Sequence, residues 1–195
     1  MRVRSLGFAT DLAVLRAGGS TIVEEGDHLV VRTPSSPNYW WGNFVLVAAS
    51  VPVAAGVEVF HREFPDADHV AIGVDGTDGA VPASAVGLGL EADVSVVLTA
   101  PAAVSAGGVD ADVRPLSSDG DWEQLLQLRQ QDDHPAVQLR RQEDPAADDA
   151  FQRSRVDGAR RVVDSGAGVY LGAFRDGYLV STLGVVCAGS RTVRY

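Results

Sequence analysis

Asp132, Asp133 and His134 stand together, with Glu143 and Asp144 close behind. Carboxylates beside an imidazole can move protons or hold a cation. The same residues also suit a solvated polar loop, which is the commoner use of such a run. Tyr39-Trp40-Trp41-Gly42-Asn43 gathers aromatic surface and one carboxamide beside a loop. That combination suits a ligand groove. The commoner use is structural, with one Trp in the core and the other at a domain interface. Arg153, Arg155, Arg160 and Arg161 could grip phosphates or form a solvated helix face. Cys187 is the single cysteine and lies in an apolar run, which predicts a buried, inert thiol. No HExxH, paired CxxC or GxSxG pattern occurs, so no metal ligand set and no serine nucleophile is indicated.

The elements that must position these groups follow from periodicity. Two β-branched runs flank Asp176-Gly177, a strong two-residue hairpin signal. A regular hairpin sets Arg175 opposite Tyr178 and Phe174 opposite Leu179. Further out it sets Gly172 opposite Ser181 and Tyr170 opposite Leu183. A third strand of that sheet begins near Thr192. Before the hairpin, Val113–Leu116 reads as a strand and Ser118 or Asp119 caps a helix to about Gln131. Residues 132–147 contain two prolines and read as a mobile connection. A second helix then starts at Asp148 or Asp149, with Phe151, Val162 and Val163 inward, and ends at Gly166.

The first hundred residues repeat the mixture of helix and strand. Residues 8–17 suit a helix capped by Thr10 or Asp11. Thr21–Glu24, His28–Thr33 and Asn43–Ala49 suit strands. Val57, Phe60 and Phe64 mark a helix stopped by Pro65. His69–Val74 and Asp93–Thr99 suit strands, with a short helix between them at 81–89. Residues 101–112, rich in Ala, Gly and Asp, read as a linker between domains 1–100 and 113–195. The fold class expected is α+β (mixed α/β), with a mostly antiparallel sheet flanked by helices.

Composition sets outer bounds. The chain has 195 residues, is 46% hydrophobic and 22% charged, and carries a net charge of −10. These values fit a globular core, and the acidic balance disfavours a nucleic-acid partner. No run of ~18 apolar residues predicts a membrane span. The N-terminus lacks a signal-peptide core, which predicts a cytoplasmic protein.

Several segments together carry a resemblance. VRPLSSDGDW from Val113, FQRSR from Phe151, SGAGVYLGAFRDGYLVSTLGVV from Ser165, a closing Gly…Arg194-Tyr195, and RTPSSPNYWWGN at Arg32–Asn43 resemble bacterial GNAT-family N-acetyltransferases. The resemblance covers nearly the whole chain. It implies that 113–195 is the N-terminal half of a GNAT domain, preceded by a smaller unit with the element order of a degenerate GNAT-like unit. It implies transfer of an acetyl group from acetyl-CoA, as co-substrate and without a metal, to a small-molecule or peptide amine. The connection carrying Asp132, Asp133 and His134 would border the acceptor amine, with Tyr170 as a further groove candidate. Arg194 and Tyr195 would begin the strand that pairs with the pantetheine amides. The family's Arg/Gln-x-x-Gly-x-Gly/Ala loop, which cradles the pyrophosphate, does not occur between Val113 and Tyr195. Arg16–Thr21 and Arg155–Arg160 match it only in part. The chain is therefore expected to be truncated before the donor motif. The alternative is a non-catalytic GNAT remnant that binds or assembles, associating with itself through an unpaired strand edge.

Overall fold

The computed structural model describes residues 1–82, 84–99, 108, 110–131, 138, 142–188 and 191–194. The fold is α+β, and the chain divides into two compact units, Met1–Thr99 and Ala100–Tyr195.

The first unit runs α1 (Leu6–Ala17), β1 (Thr21–Glu25), β2 (His28–Arg32), β3 (Phe44–Ala48), α2 (Val53–Glu63), β4 (Ile72–Asp75) and the short α3 (Ser84–Gly87). The sheet order is β1-β2-β3-β4. β1, β2 and β3 form an antiparallel meander, and β4 runs parallel to β3 after the α2 crossover. Helices on both faces explain why β3 is apolar throughout: Phe44, Val45, Leu46 and Val47 are all buried. α2 lies on the Val47 and Ile72 side, where a Cβ on Gly56 would meet both side chains at 3.1 Å. α1 lies on the other face. Phe8 sits 2.9 Å from where Gly73 would carry a Cβ, so glycine there lets the ring approach the strand.

The start of α1 is set by two groups that the periodicity did not reveal. Ser5, rather than Thr10 or Asp11, is the N-cap, and its side chain accepts from the Phe8 N–H. The buried Asp75 carboxylate at the end of β4 accepts from the Arg4 and Ser5 N–H groups at 2.7 and 2.8 Å. The entry to α1 is thus tied to a strand 70 residues away in sequence.

Asp93–Thr99 forms no strand, contrary to its pattern. Val94, Val96, Val97 and Leu98 are exposed there. Strand propensity measures how well a side chain fits a half-buried pleated surface. Here no such surface receives it.

The second unit runs β5 (Asp112–Pro115), α4 (Asp119–Gln130), α5 (Pro145–Asp164), β6 (Gly168–Arg175), β7 (Tyr178–Ala188) and β8 (Arg191–Arg194). The sheet is antiparallel in the order β5-β6-β7-β8. α4 and α5 pack on each other, α4 on β7 and α5 on β6. α5 starts earlier than its apolar pattern indicated, within the stretch read as a mobile connection. Asp144 is the N-cap and Pro145 occupies the first turn, where its missing N–H costs nothing.

The Asp176-Gly177 hairpin pairs Arg175 with Tyr178 and Phe174 with Leu179, as expected. Beyond that the register differs. Val180 has no partner in the ladder, so Ala173 faces Ser181, Gly172 faces Thr182 and Tyr170 faces Gly184. One extra residue on β7 is a β-bulge, and it moves every later side chain to the opposite face. Gly184 and Val186 become inward positions, while Leu183 and Cys187 point outward.

This explains the correction at Cys187. Counted regularly from the buried Leu179, Cys187 falls on the core face; counted through the bulge, it is exposed. The thiol should therefore react with iodoacetamide in the folded protein, without prior unfolding. Protection until the protein unfolds would contradict the bulged register.

Candidate functional site

The Arg32–Asn43 segment folds as one hydrogen-bonded loop around a single carboxamide. Asn43 accepts the Thr33 N–H on Oδ1 at 3.0 Å. Its Nδ2 donates to the carbonyls of Ser36 at 2.8 Å, Pro37 at 3.2 Å and Tyr39 at 2.9 Å. One buried side chain thus ties four backbone groups of the loop together, sharing its two N–H bonds among three carbonyls, of which those of Ser36 and Tyr39 also accept the Tyr39 and Gly42 N–H groups. Thr33 Oγ1 adds a bond to the Gly42 carbonyl at 2.8 Å and another to Ser20 Oγ at 2.8 Å. His69 Nε2 lies 3.1 Å from the Asn43 carbonyl oxygen.

The two tryptophans of this loop differ. Trp41 stacks on Phe44 at 5.2 Å between ring centroids, and on Phe8 at 5.9 Å. It serves the core. Trp40 sits edge-on to Trp41 at 6.0 Å and remains 60% exposed, on a loop that hydrogen bonds hold rigid. The carboxamide and Trp41 are therefore structural, the commoner of the two uses open to this segment, and Trp40 is the side chain presented to solvent.

Among the described residues one parallel crossover occurs, β3-α2-β4. A strand leading to a helix N-terminus can hold a pyrophosphate when the loop offers free backbone N–H groups. Here the loop is Ala49-Ser50-Val51-Pro52. Pro52 is the N-cap and has no N–H, the loop has no glycine, and Val53 is buried. Acetyl-CoA phosphates do not fit this position. Nor do the two partial motifs serve. Arg16–Thr21 spans the C-terminal end of α1, where the helix presents carbonyls, and Arg155–Arg160 lies within α5.

In the second unit the strongest electrostatic feature joins β5 to α4. Asp121 is 3% exposed and accepts two bonds from the Arg114 guanidinium, at 2.7 and 3.0 Å. It also accepts the N–H groups of Ser117 and Ser118, both at 3.0 Å, while Ser118 Oγ accepts the Asp121 N–H. Ser118 and Asp121 form a capping box. The Arg114 bonds, ahead of the backbone donors, hold the Asp121 carboxyl well below the ordinary carboxylate range despite burial. Arg114 also covers the Phe174 ring at 3.9 Å. The Ser118-x-x-Asp121 spacing is visible in the sequence, but the Arg partner on the preceding strand is not.

The remaining candidates are dispersed. Tyr170 is 8% exposed, edge-on to Trp122 at 6.1 Å, and its ring occupies the space that a Gly184 side chain would need. Burial pushes its hydroxyl pKa up, and the charges of Arg129 and Arg155 pull it back. Arg153 pairs with Asp149 at 2.8 Å, and Arg160 with Asp119 at 2.7 Å, so these two cations serve the α5 surface. Arg194 pairs with Val185 through the β8–β7 ladder. Asp132, Asp133, His134 and Tyr195 lie outside the described residues. Among the described residues no group of three or more His, Cys, Asp or Glu could hold a metal ion. No helix among them is long and apolar enough to cross a membrane. No family model matches the chain, and neither does any curated protein or any solved structure.

Proposed function

We propose that this chain is of the GNAT N-acetyltransferase type, taking acetyl-CoA as donor and a small-molecule or peptide amine as acceptor. The observation that carries the reading is the order of the second unit. A strand, two helices packed on each other, a hairpin and a further strand form one antiparallel sheet, β5-β6-β7-β8. In this reading β8, with Arg194, begins the strand whose edge pairs with the pantetheine amides. The connection through Asp132, Asp133 and His134 borders the acceptor, where carboxylates attract an ammonium group. A base then takes a proton from that ammonium, the free amine attacks the thioester carbonyl, and collapse of the tetrahedral intermediate breaks the C–S bond, releasing CoA thiolate that takes up the second amine proton. The family's pyrophosphate-loop pattern does not occur within 113–195; the full match, Arg4-Ser5-Leu6-Gly7-Phe8-Ala9, lies at the start of α1, where the Asp75 carboxylate takes the Arg4 and Ser5 N–H groups.

The test is calorimetric titration of acetyl-CoA into the protein expressed from its own reading frame. Saturable heat below millimolar donor is expected. No heat at millimolar donor would overturn the enzyme reading.

A second reading is favoured by the Pro52 cap and glycine-free loop in the first unit, which do not fit the donor. In it, the fold is kept as a binding or assembly module. Its outward sheet face in the second unit carries the exposed Val113 and Leu183. A strictly monomeric protein without acetyl-CoA binding would remove the self-assembly form of that reading.

A further inference from the structure

Four large apolar side chains stand exposed within five residues of the first unit. Val96 is 81% exposed and Leu98 89%, with Val94 and Val97 also exposed. Between Asp93 and Thr99 the sequence DVSVVLT has no charge after its first residue, no proline and no glycine. Such a segment gains most by joining a sheet. Val94, Val96 and Leu98 alternate with Ser95, Val97 and Thr99, so a strand here would turn three apolar groups to one face.

The same unit carries the matching vacancy. Among the described residues β4 pairs with β3 alone and forms one edge of the sheet. Its Ile72 and Val74 are only half-buried. An added strand would supply the missing ladder and cover these two side chains. The segment lies near this edge. Asp75, the last residue of β4, binds the Arg4 and Ser5 N–H groups, and two residues further on a Cβ at Gly7 would stand 3.0 Å from a Val97 methyl. In the single chain the segment runs past the start of α1 in no regular structure.

We propose that Asp93–Thr99 of one chain adds as a fifth strand to the β4 edge of a second copy, and reciprocally, giving a two-fold strand-exchanged dimer. A second copy is the occupant because one unit presents both halves of the contact: an uncharged β-prone strand and an apolar edge. Reciprocal exchange closes the assembly, whereas one-way addition would leave each chain with an unused edge and propagate.

Sedimentation equilibrium tests this at low micromolar and near-millimolar protein. The average mass should rise from the 20.5 kDa of one chain toward twice that value. Hydrogen exchange at Ile72–Asp75 should slow roughly tenfold or more over the same range. Val96→Asp/Leu98→Asp, at positions too exposed to affect folding of the unit, should return the mass to one chain with unchanged circular dichroism. A single-chain mass at both concentrations would overturn the proposal. So would a dimer that survives the double variant, because its contact would then lie on another surface. Unchanged exchange at Ile72–Asp75 on dimerisation would also overturn it.

Discussion

Asn43→Ala is expected to lower the stability of the first unit by about 2–3 kcal/mol, because it leaves the buried Thr33 N–H without an acceptor and removes a donor shared by three carbonyls. The Thr33 N–H loses its acceptor, and the carbonyls of Ser36, Pro37 and Tyr39 lose their donor. The Ser36 and Tyr39 carbonyls keep the Tyr39 and Gly42 N–H groups, so the cost falls chiefly on the Thr33 N–H and the Pro37 carbonyl. A loss of that size is a large share of the 5–15 kcal/mol typical of a domain. Asn43→Asp is the sharper variant. It keeps an acceptor for Thr33 but sets a carboxylate oxygen against three carbonyls. It should be at least as damaging as Ala, although it is nearly the same shape. Urea unfolding followed by tryptophan fluorescence measures both, since Trp40 and Trp41 sit on the loop itself. A loss below about 1 kcal/mol for both variants, the value of one ordinary hydrogen bond, would show that the loop does not depend on the carboxamide.

Asp121→Ala is expected to cost the second unit about 2 kcal/mol, the loss of a helix cap together with a charge-assisted bond to a half-exposed Arg. It frees the Ser117 and Ser118 N–H groups and removes two bonds from the Arg114 guanidinium, which is 40% exposed and keeps Asp112 and solvent as partners. The pH dependence has a definite sign. The folded carboxyl is held below its ordinary value, chiefly by Arg114. Its contribution is therefore complete above the unfolded carboxylate value of about 4 and fades as pH falls below it. Wild-type protein should lose stability between about pH 5 and pH 3 more steeply than the Asp121→Ala variant. Equal slopes from chemical denaturation at several pH values would show that the pair is not coupled to folding.

How much of this could be read from the sequence depends on the range of the interaction that decides each feature. Strands β1, β2 and β3 were legible because alternation and the turn at Gly26 are local signals. The Asp176-Gly177 turn was legible for the same reason, with both residues at positive φ. The bulge at Val180 was not. It changes the count between strands without leaving a residue signature, and it reversed the reading of Cys187. Asp93–Thr99 has strand residues but pairs with no strand among the described residues, so propensity alone misled. Pro145 reads as a break when counted along the chain and as a helix start once Asp144 caps it. Of the site, the loop around Asn43 was visible as a cluster of types. Its function as a hydrogen-bond hub was not, because four acceptors and donors converge only after folding. The Arg114 partner of Asp121 belongs to the same class, since a strand–helix junction brings the two together.

The proposal that most needs a direct trial is acetyl transfer. The protein from its own reading frame, given acetyl-CoA and a panel of small amines and peptides, should release free thiol only when an amine is present. Mass spectrometry should find one acetyl group added to that amine. Thiol release that is independent of every amine, or no release together with no acetyl-CoA binding, would contradict an N-acetyltransferase.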